Sequence, residues 1–187
     1  MKYYDYYFWE NFFNVDEIKN INKISELFMN KDFIDQPAFT DKNKNLKNLK
    51  NVTAVQWKHL EESFKKLNET IIVTNRERYG YNIDSVLNSD NVLFNTYLKD
   101  NFYDWHKDAS NNYYHDIKFT ILINNSTEDY HGGDFQIFTS GGEHTISNFN
   151  KTGTVLMFKS DIPHRVLPVN KGKRNSIAFF IRGSKFI

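Results

Sequence analysis

Cysteine is absent from this 187-residue chain. Disulfides and thiolate zinc sites are therefore excluded, and so is catalysis by a cysteine nucleophile. Carboxylate and imidazole groups are the remaining side chains that commonly bind metal ions in proteins. Any metal site in this chain must therefore be built from histidine, aspartate and glutamate.

The sequence also lacks a long apolar run and an excess of either charge. No run approaches the roughly 20 residues of a membrane helix, and the aromatic N-terminus MKYYDYYFWENFF carries Asp and Glu, unlike a signal peptide. The formal net charge is only +1, which favours neither a nucleic acid nor a membrane as partner. We expect a cytoplasmic protein without a nucleic acid or a membrane as partner.

Aromatic residues are abundant, at 17% of the chain. Flat rings pack well on pleated surfaces, so this composition predicts a β-rich core. The length suits one domain rather than two. We predict a single domain over residues 1–187, with a helical support region over 1–85 and a β core over 92–187.

The N-terminal half has helical spacing. A strand is predicted over residues 3–9, and a first helix begins after an acidic cap at residues 14–17 and ends near Asn30. Polar residues 35–51 predict an exposed loop. A second helix is predicted from about Val55 to Ile71. Its apolar face comprises Trp57, Leu60, Phe64 and Leu67.

Short alternating runs dominate the C-terminal half, with turn signals between them. Many short strands spaced in this way predict a sandwich or a barrel, and two preceding helices would cover one sheet face. The predicted strands are 92–98, 102–107, 117–123, 133–138, 144–149, 154–158, 164–168 and 175–181.

Two histidines and an aspartate form a candidate metal site. His106 and Asp108 are two residues apart on a predicted strand, so both should point to the same face. His164 follows Pro163 in a later strand. Two imidazoles and one carboxylate form the facial triad of non-haem iron(II) oxygenases. The pair His106 and Asp108 taken alone is equally typical of a surface histidine beside a solvated aspartate.

An arginine follows His164 in the sequence and is a candidate anion-binding residue. Arg174 lies ten positions after His164 and would share a strand face with Ser176 and Ala178. An arginine that enters a barrel needs an anion, because a buried unpaired charge is costly. A dicarboxylic co-substrate would supply one through bidentate hydrogen bonds. Without His164, the same residue is compatible with a surface turn.

These motifs resemble those of the 2-oxoglutarate/iron(II) oxygenases, especially the prolyl 4-hydroxylase-like branch and its bacterial PKHD-type hydroxylases. The resemblance extends from about residue 50 to the C-terminus, and both order and spacing agree. The matching segments are LFNTY at 93–97, YDWHKD at 103–108, YHGGDFQIF at 130–138, GTVLMF at 153–158 and HRVLPVNKGKR at 164–174.

The resemblance implies an α+β fold that is mainly β, a double-stranded β-helix (jelly roll) with N-terminal helices packed on one sheet. It also implies a dioxygenase that uses Fe(II), 2-oxoglutarate and O2, and that hydroxylates its substrate with release of succinate and CO2. Ascorbate is a candidate reductant, and prolyl hydroxylation is the leading reaction by analogy.

The same resemblance assigns roles to individual residues. His106, Asp108 and His164 match the iron ligands. Arg174 matches the residue that binds the distal carboxylate of 2-oxoglutarate, and Tyr97 matches a tyrosine that lines the co-substrate pocket.

Other positions carry weaker assignments. Ser176 lies where some relatives place a serine beside the co-substrate carboxylate. Lys118 replaces the usual Ser or Thr, and alternation predicts that it shares a barrel-facing side with Thr120 and Leu122. Both Lys118 and Thr120 are thus candidate co-substrate contacts, although Lys118 is equally compatible with a lysine that reaches out to water. Asp100 replaces a glycine that is frequent in the family.

Residues around the metal strand have simpler interpretations. Tyr103 and Trp105 should face away from His106 and pack in the core. Residues 109–115 are a candidate substrate lid, and His59 is expected to be solvated.

Two other classes of protein remain open. One is a jelly-roll binding module with a vestigial metal site, which the presence of Arg174 argues against. The other is a cupin-type isomerase or dioxygenase without a co-substrate, although cupin sites usually contain more histidines than the two that fit here.

Overall fold

The computed structural model describes residues 4–29, 47–48, 51–84, 91–108 and 115–184. The predicted loop at 35–51 and the predicted lid at 109–115 lie largely outside these ranges. In chain order the elements are β1 (Tyr6–Trp9), α1 (Val15–Phe28), β2 (Lys47–Asn48), β3 (Asn51–Gln56), α2 (Glu61–Thr74), β4 (Asn91–Tyr97), β5 (Phe102–His106), β6 (His115–Asn124), β7 (His131–Gly132), β8 (Phe135–Thr139), β9 (Gly142–Thr145), β10 (Val155–Lys159), β11 (His164–Val166), β12 (Val169–Lys171) and β13 (Arg174–Ser184).

Two antiparallel sheets form the core of the fold. The major sheet has six strands in the order β1-β10-β6-β13-β4-β3, and the minor sheet has five in the order β2-β5-β11-β8-β9. A small third sheet pairs β12 with β7. Apolar residues of the two larger sheets meet in one buried cluster. This arrangement confirms the predicted jelly roll.

The two faces of the major sheet have different neighbours. Side chains alternate along a strand, so Phe119 and Ile121 of β6 belong to a cluster shared with the helices. Leu122 of the same strand belongs to the cluster between the sheets. The interior between the sheets is therefore separate from the layer under the helices.

Both helices lie on the outer face of the major sheet, as predicted. Helix α1 begins at a capping box, in which the Asn14 side chain accepts bonds from the backbone of Asp16 and Glu17, and the Glu17 side chain accepts one from the Asn14 backbone. The N-cap is thus Asn14 rather than an acidic residue. Among the described residues, no helix is long and apolar enough to cross a membrane.

Two predicted elements are wrong in extent. Residues 51–56 form strand β3, paired with β4, and the α-helix begins only at Glu61 after a short 3-10 turn at Trp57–His59. Strand β9 ends at Thr145, and a 3-10 turn follows over Ser147–Asn150. In the first case, pairing with a neighbouring strand outweighs the apolar spacing that predicted an earlier helix start.

Candidate metal centre

Neighbouring strands of the minor sheet bring the two candidate histidine ligands together. His106 ends β5 and His164 begins β11, and the two residues lie directly opposite each other in the antiparallel pairing. Their ring centroids are 4.1 Å apart. Asp108 lies two residues beyond β5 and completes a group whose candidate ligand atoms all lie within 4.8 Å of one another. No other such group of three His, Asp or Glu residues occurs in the described ranges.

The carboxylate of Asp108 lies between the two imidazoles. Its Oδ2 is 3.3 Å from Nε2 of His164, and its Oδ1 is 3.7 Å from Nε2 of His106. Thr120 donates a hydrogen bond of 2.7 Å to Oδ2. The three groups therefore converge through the atoms that a divalent cation binds.

Backbone carbonyls orient both imidazoles. Nδ1 of His106 lies 2.7 Å from the carbonyl of Asp104, and Nδ1 of His164 lies 3.0 Å from the carbonyl of Ile162. A carbonyl can only accept a hydrogen bond, so Nδ1 carries the proton in each ring. When a ring is neutral, its lone pair is then on Nε2, which faces the centre, and this is the tautomer that binds a metal.

The local charges keep Asp108 ionised. Burial alone would raise its pKa, but hydrogen bonding and charge from His164, the charge of His106 and the Thr120 hydrogen bond together lower the pKa below its usual value. A carboxylate must be deprotonated to bind a metal ion. Asp108 is therefore in the ligand form at neutral pH.

Arg174 is buried without an anionic partner. Only 1% of the residue is exposed. Its Nη1 donates to Ser176 Oγ at 3.2 Å, whereas Nε and Nη2 are buried and have no hydrogen-bond partner among the described residues. Those two nitrogens lie on one edge of the guanidinium and form a fork that matches a carboxylate. Such an orphaned cation indicates a binding site for an anionic group.

Aromatic rings surround this arginine. The guanidinium carbon lies 5.0 Å from the ring centre of Tyr97 and 5.6 Å from that of Phe149. Burial, together with the charge of Asp108, raises the pKa of Tyr97 to about 12, although Arg174 opposes the shift. Tyr97 is therefore a neutral phenol at physiological pH.

A glycine leaves room for the arginine side chain. A Cβ at Gly133 would lie 2.7 Å from Cδ of Arg174 and 2.9 Å from Cγ2 of Val169, and the φ of Gly133 is +69°. Any larger residue would collide with the arginine. The sequence prediction assigned Gly133 and Val169 no part in this pocket, and the paired glycines at 132–133 were the available signal.

The metal and arginine sites line the same interior. Phe135 lies 5.6 Å from the ring of His164 and 5.8 Å from the ring of Phe149, and Phe149 in turn contacts Arg174. Two phenylalanine rings thus connect the candidate ligands with the orphaned guanidinium.

Lys118 and Thr120, the two candidate co-substrate contacts on β6, have partners within the chain. Lys118 lies 3.9 Å from the carboxylate of Asp116 and 5.5 Å above the ring of Tyr81. A register shift between Ile181 and Arg182 of β13 disrupts the alternation at this point of β6. The hydroxyl of Thr120 is bonded to Asp108, so it supports a candidate metal ligand.

The prediction that Tyr103 faces away from His106 is wrong. The ring of Tyr103 stacks on that of His106, with centroids 3.5 Å apart, instead of facing away. The pairing of β5 with β11 contains a bulge, in which one residue of β11, Arg165, lies opposite two of β5, Asp104 and Trp105. Trp105 does not pack in the core as predicted: it is only partly buried and lies against the exposed Phe138 and beside Arg165.

Three other histidines do not belong to the site. His131 and His144 are exposed. His59 is partly covered, because its ring stacks on Phe28 with centroids 4.0 Å apart, so it is less solvated than expected.

Comparisons with known proteins agree with this geometry. Residues 92–182 match the family model of the 2OG-Fe(II) oxygenase superfamily. That segment contains all three candidate metal ligands, His106, Asp108 and His164, together with Tyr97 and Arg174. No curated protein matches the sequence.

Solved structures show the same fold. A prolyl-4-hydroxylase of Pseudomonas putida aligns with a TM-score of 0.71 and 15% identity, over 96% of this chain and 92% of that chain. The viral collagen prolyl hydroxylase of Paramecium bursaria Chlorella virus-1, solved as a 2OG complex, aligns with a TM-score of 0.69 and 16% identity, over 96% and 97%. A prolyl hydroxylase of Trichoplax adhaerens, solved with a hypoxia inducible factor peptide, aligns with a TM-score of 0.66 and 16% identity, over 95% and 83%.

Proposed function

We propose that this chain, which belongs to the 2OG-Fe(II) oxygenase superfamily, is a 2-oxoglutarate-dependent hydroxylase whose ferrous ion is bound by His106, Asp108 and His164. The observation that carries the proposal is the presence, in one interior, of this converging triad and of Arg174, two of whose buried donors have no hydrogen-bond partner in the part of the chain that the structure describes. A vestigial binding module would have no physical need for a buried unpaired cation.

The donor set suits ferrous iron. Two neutral imidazoles and one carboxylate would hold the ion, and its remaining coordination positions would be available to a chelating co-substrate and to dioxygen. The carbonyls of Asp104 and Ile162 hold the imidazoles in the required tautomer. We therefore assign the three side chains as a complete ligand set.

Arg174 is assigned to the far carboxylate of 2-oxoglutarate. Its free Nε and Nη2 would donate two parallel hydrogen bonds to that group. Tyr97 would line the pocket as a neutral phenol, and Ser176, which already accepts a bond from Nη1, would hold the guanidinium in orientation. These contacts would place the opposite end of the co-substrate toward the triad.

The overall reaction converts a substrate C–H, 2-oxoglutarate and O2 into the hydroxylated substrate, succinate and CO2. Bound iron supplies the redox chemistry that couples decarboxylation to hydroxylation. The protein supplies orientation through Arg174 and the triad. Buried Phe135, Phe149 and Phe158 exclude water from the interior.

For the substrate, we propose a peptide or protein, with a prolyl residue as the hydroxylated group. Support comes from the similarity of fold to three prolyl hydroxylases, one of them solved with a bound peptide. A free small molecule is the alternative, and a screen must therefore contain both classes.

The test is succinate release by the purified chain with Fe(II), 2-oxoglutarate and O2, in the presence of proline-containing peptides or metabolites. The wild-type protein should form succinate, and product mass should rise by one oxygen. His164→Ala and His106→Ala should bind no ferrous ion in anaerobic calorimetry and form no succinate. Equal turnover by either variant would refute the ligand assignment. Metal and 2-oxoglutarate binding without any succinate would favour the binding module.

A further inference from the structure

The three candidate ligands are attached to different sheets. His106 and His164 belong to paired strands of the minor sheet. Asp108 lies beyond the end of β5, so no strand pairing fixes its position. Its backbone N–H instead donates to the carbonyl of Ser160, at 3.0 Å. Ser160 follows β10 of the major sheet, and its own N–H donates to the carbonyl of Lys118 in β6.

The Asp108 side chain is attached to the same sheet. Thr120 donates to Oδ2 at 2.7 Å. The residue is 1% exposed and lies in β6, where it pairs with Phe158 on one side and with Phe180 on the other. The hydroxyl therefore projects from a buried position that is paired with a neighbouring strand on both sides. Asp108 is held by both its backbone and its side chain against the sheet opposite the histidines.

We infer that Thr120 is a positioning residue for the metal site: its hydroxyl orients the Asp108 carboxylate toward the two imidazoles of the opposite sheet. The inference rests on the proposed function, since it concerns the same ligand set. When a residue that is hydrogen-bonded to a metal ligand is mutated, metal affinity typically falls 10- to 100-fold. Here the effect should be pronounced, because a carboxylate outside a strand has few other constraints.

The geometry also distinguishes the two carboxylate oxygens. Thr120 occupies a lone pair of Oδ2, and Oδ1 receives no hydrogen bond from it. One oxygen is thereby tied to the protein, which limits rotation of the carboxylate about its last bond. A freely rotating carboxylate would lose conformational entropy on binding the metal, and this cost lowers affinity.

The test compares Thr120→Val with Thr120→Ser. Valine has nearly the same shape but cannot donate, whereas serine keeps the hydroxyl. Anaerobic calorimetry with Fe(II), repeated with Mn(II), should show a 10- to 100-fold weaker Kd for the valine variant and a value within about threefold of wild type for the serine variant. Absorption spectra of the Co(II)-loaded valine variant should also change, because the oxygen ligand is no longer held.

Thr154→Val is the matched control. Thr154 is fully buried, and its hydroxyl has no hydrogen-bond partner among the described residues, so the same chemical change is made away from the site. Its metal Kd should equal that of the wild type. If valine at 120 prevents folding, Thr120→Ala tests the same loss of a donor without a methyl group against the carboxylate.

The outcomes separate this inference from the proposed function. A wild-type protein that binds no Fe(II) would overturn the proposed function and this inference together. Wild-type binding with an unchanged Kd in folded Thr120→Val or Thr120→Ala would overturn this inference alone. Equal weakening in the Thr120→Ser variant would also overturn it, since the hydroxyl would then not be the decisive group.

Discussion

The two faces of the major sheet are built from the same strands, but the interior face carries buried polar groups among its apolar residues. The helix-facing side contributes apolar residues such as Phe119 and Phe179 to the larger buried cluster. The interior side carries Thr120, Arg174 and Ser176, all buried and all polar. Strand alternation places these two sets one residue apart. A single sheet can thus stabilise the fold on one face and present functional groups on the other.

The difference has an energetic consequence. A buried arginine with two donors that lack a partner among the described residues disfavours folding in the absence of ligand. The apolar layer under the helices offsets this, because buried hydrophobic area is the main source of folding free energy. Substitutions on the two faces should therefore separate stability from ligand binding.

The largest effect on stability is expected on the helix-facing side. Phe64 of α2 is fully buried and packs against Phe13, Trp57 and Phe179. Phe64→Ala should lower the free energy of unfolding by about 3–5 kcal/mol. Urea denaturation measures this loss. The folded protein should still bind 2-oxoglutarate and Mn(II) within about twofold of wild type, and a parallel loss of affinity would break the separation of the faces.

Substitution of Arg174 should weaken 2-oxoglutarate binding without lowering the stability of the protein. Arg174→Met keeps most of the side-chain volume but removes two charge-assisted hydrogen bonds to a carboxylate, worth roughly 3 kcal/mol together or about 100-fold in Kd. Calorimetry of the Mn(II)-loaded protein with 2-oxoglutarate measures this loss. The stability of the ligand-free variant should equal or exceed that of the wild type, because an unpaired buried charge has been removed. Lower stability with unchanged Kd would contradict the assigned role.

The smallest expected effect is on the pH dependence of stability, through the titration of a single buried tyrosine. The pKa of Tyr97 is raised to about 12, chiefly by burial, whereas a tyrosine in the unfolded chain titrates near 10. The neutral phenol is thus favoured by folding. Its contribution to stability, on the order of 2 kcal/mol, is fully present below about pH 10 and is lost as the pH rises toward 12. Unfolding at stepped pH should show this loss, and Tyr97→Phe should lack it.

Tyr79 is the internal control for this experiment. Burial raises its pKa as well, but it lies on the helix-facing side, against Phe119. A carboxylate bound to Arg174 would offset the charge that lowers the pKa of Tyr97, so 2-oxoglutarate should raise that pKa further. The pKa of Tyr79 should not respond. Tyrosinate absorbance of the Tyr79→Phe and Tyr97→Phe variants assigns the two transitions, and equal responses would contradict the separation of the faces.

Much of the fold followed from local patterns. Alternation predicted most strands of the jelly roll, and the helix-facing residues Trp57, Leu60, Phe64 and Leu67 are all buried as expected. Residues 51–56 were missed because their apolar spacing is compatible with a helix, and only pairing with β4 decides in favour of a strand. The mini-sheet of β7 and β12 was also missed, since two- and three-residue strands carry no periodic signal.

The candidate site followed from spacing only in part. The separation of His106 from Asp108 predicted a shared direction, and the structure brings both next to His164. The stacking of Tyr103 on His106 could not be predicted, because a bulge changes which positions share a face. The partner of Thr120 was equally hidden, since a hydrogen bond across 12 residues depends on how the two sheets face each other.

The sequence by itself determined the chemical inventory: no thiol ligands, two suitably placed histidines, one carboxylate and an arginine at the start of a mainly apolar strand. Local periodicity depends on neighbouring residues, so it was sufficient to place the two histidines on strands. Tertiary structure alone decided that the carboxylate is attached to one sheet and the imidazoles to the other, and that Gly133 makes room for Arg174. Those relations depend on the packing of strands distant in sequence, which no local pattern records.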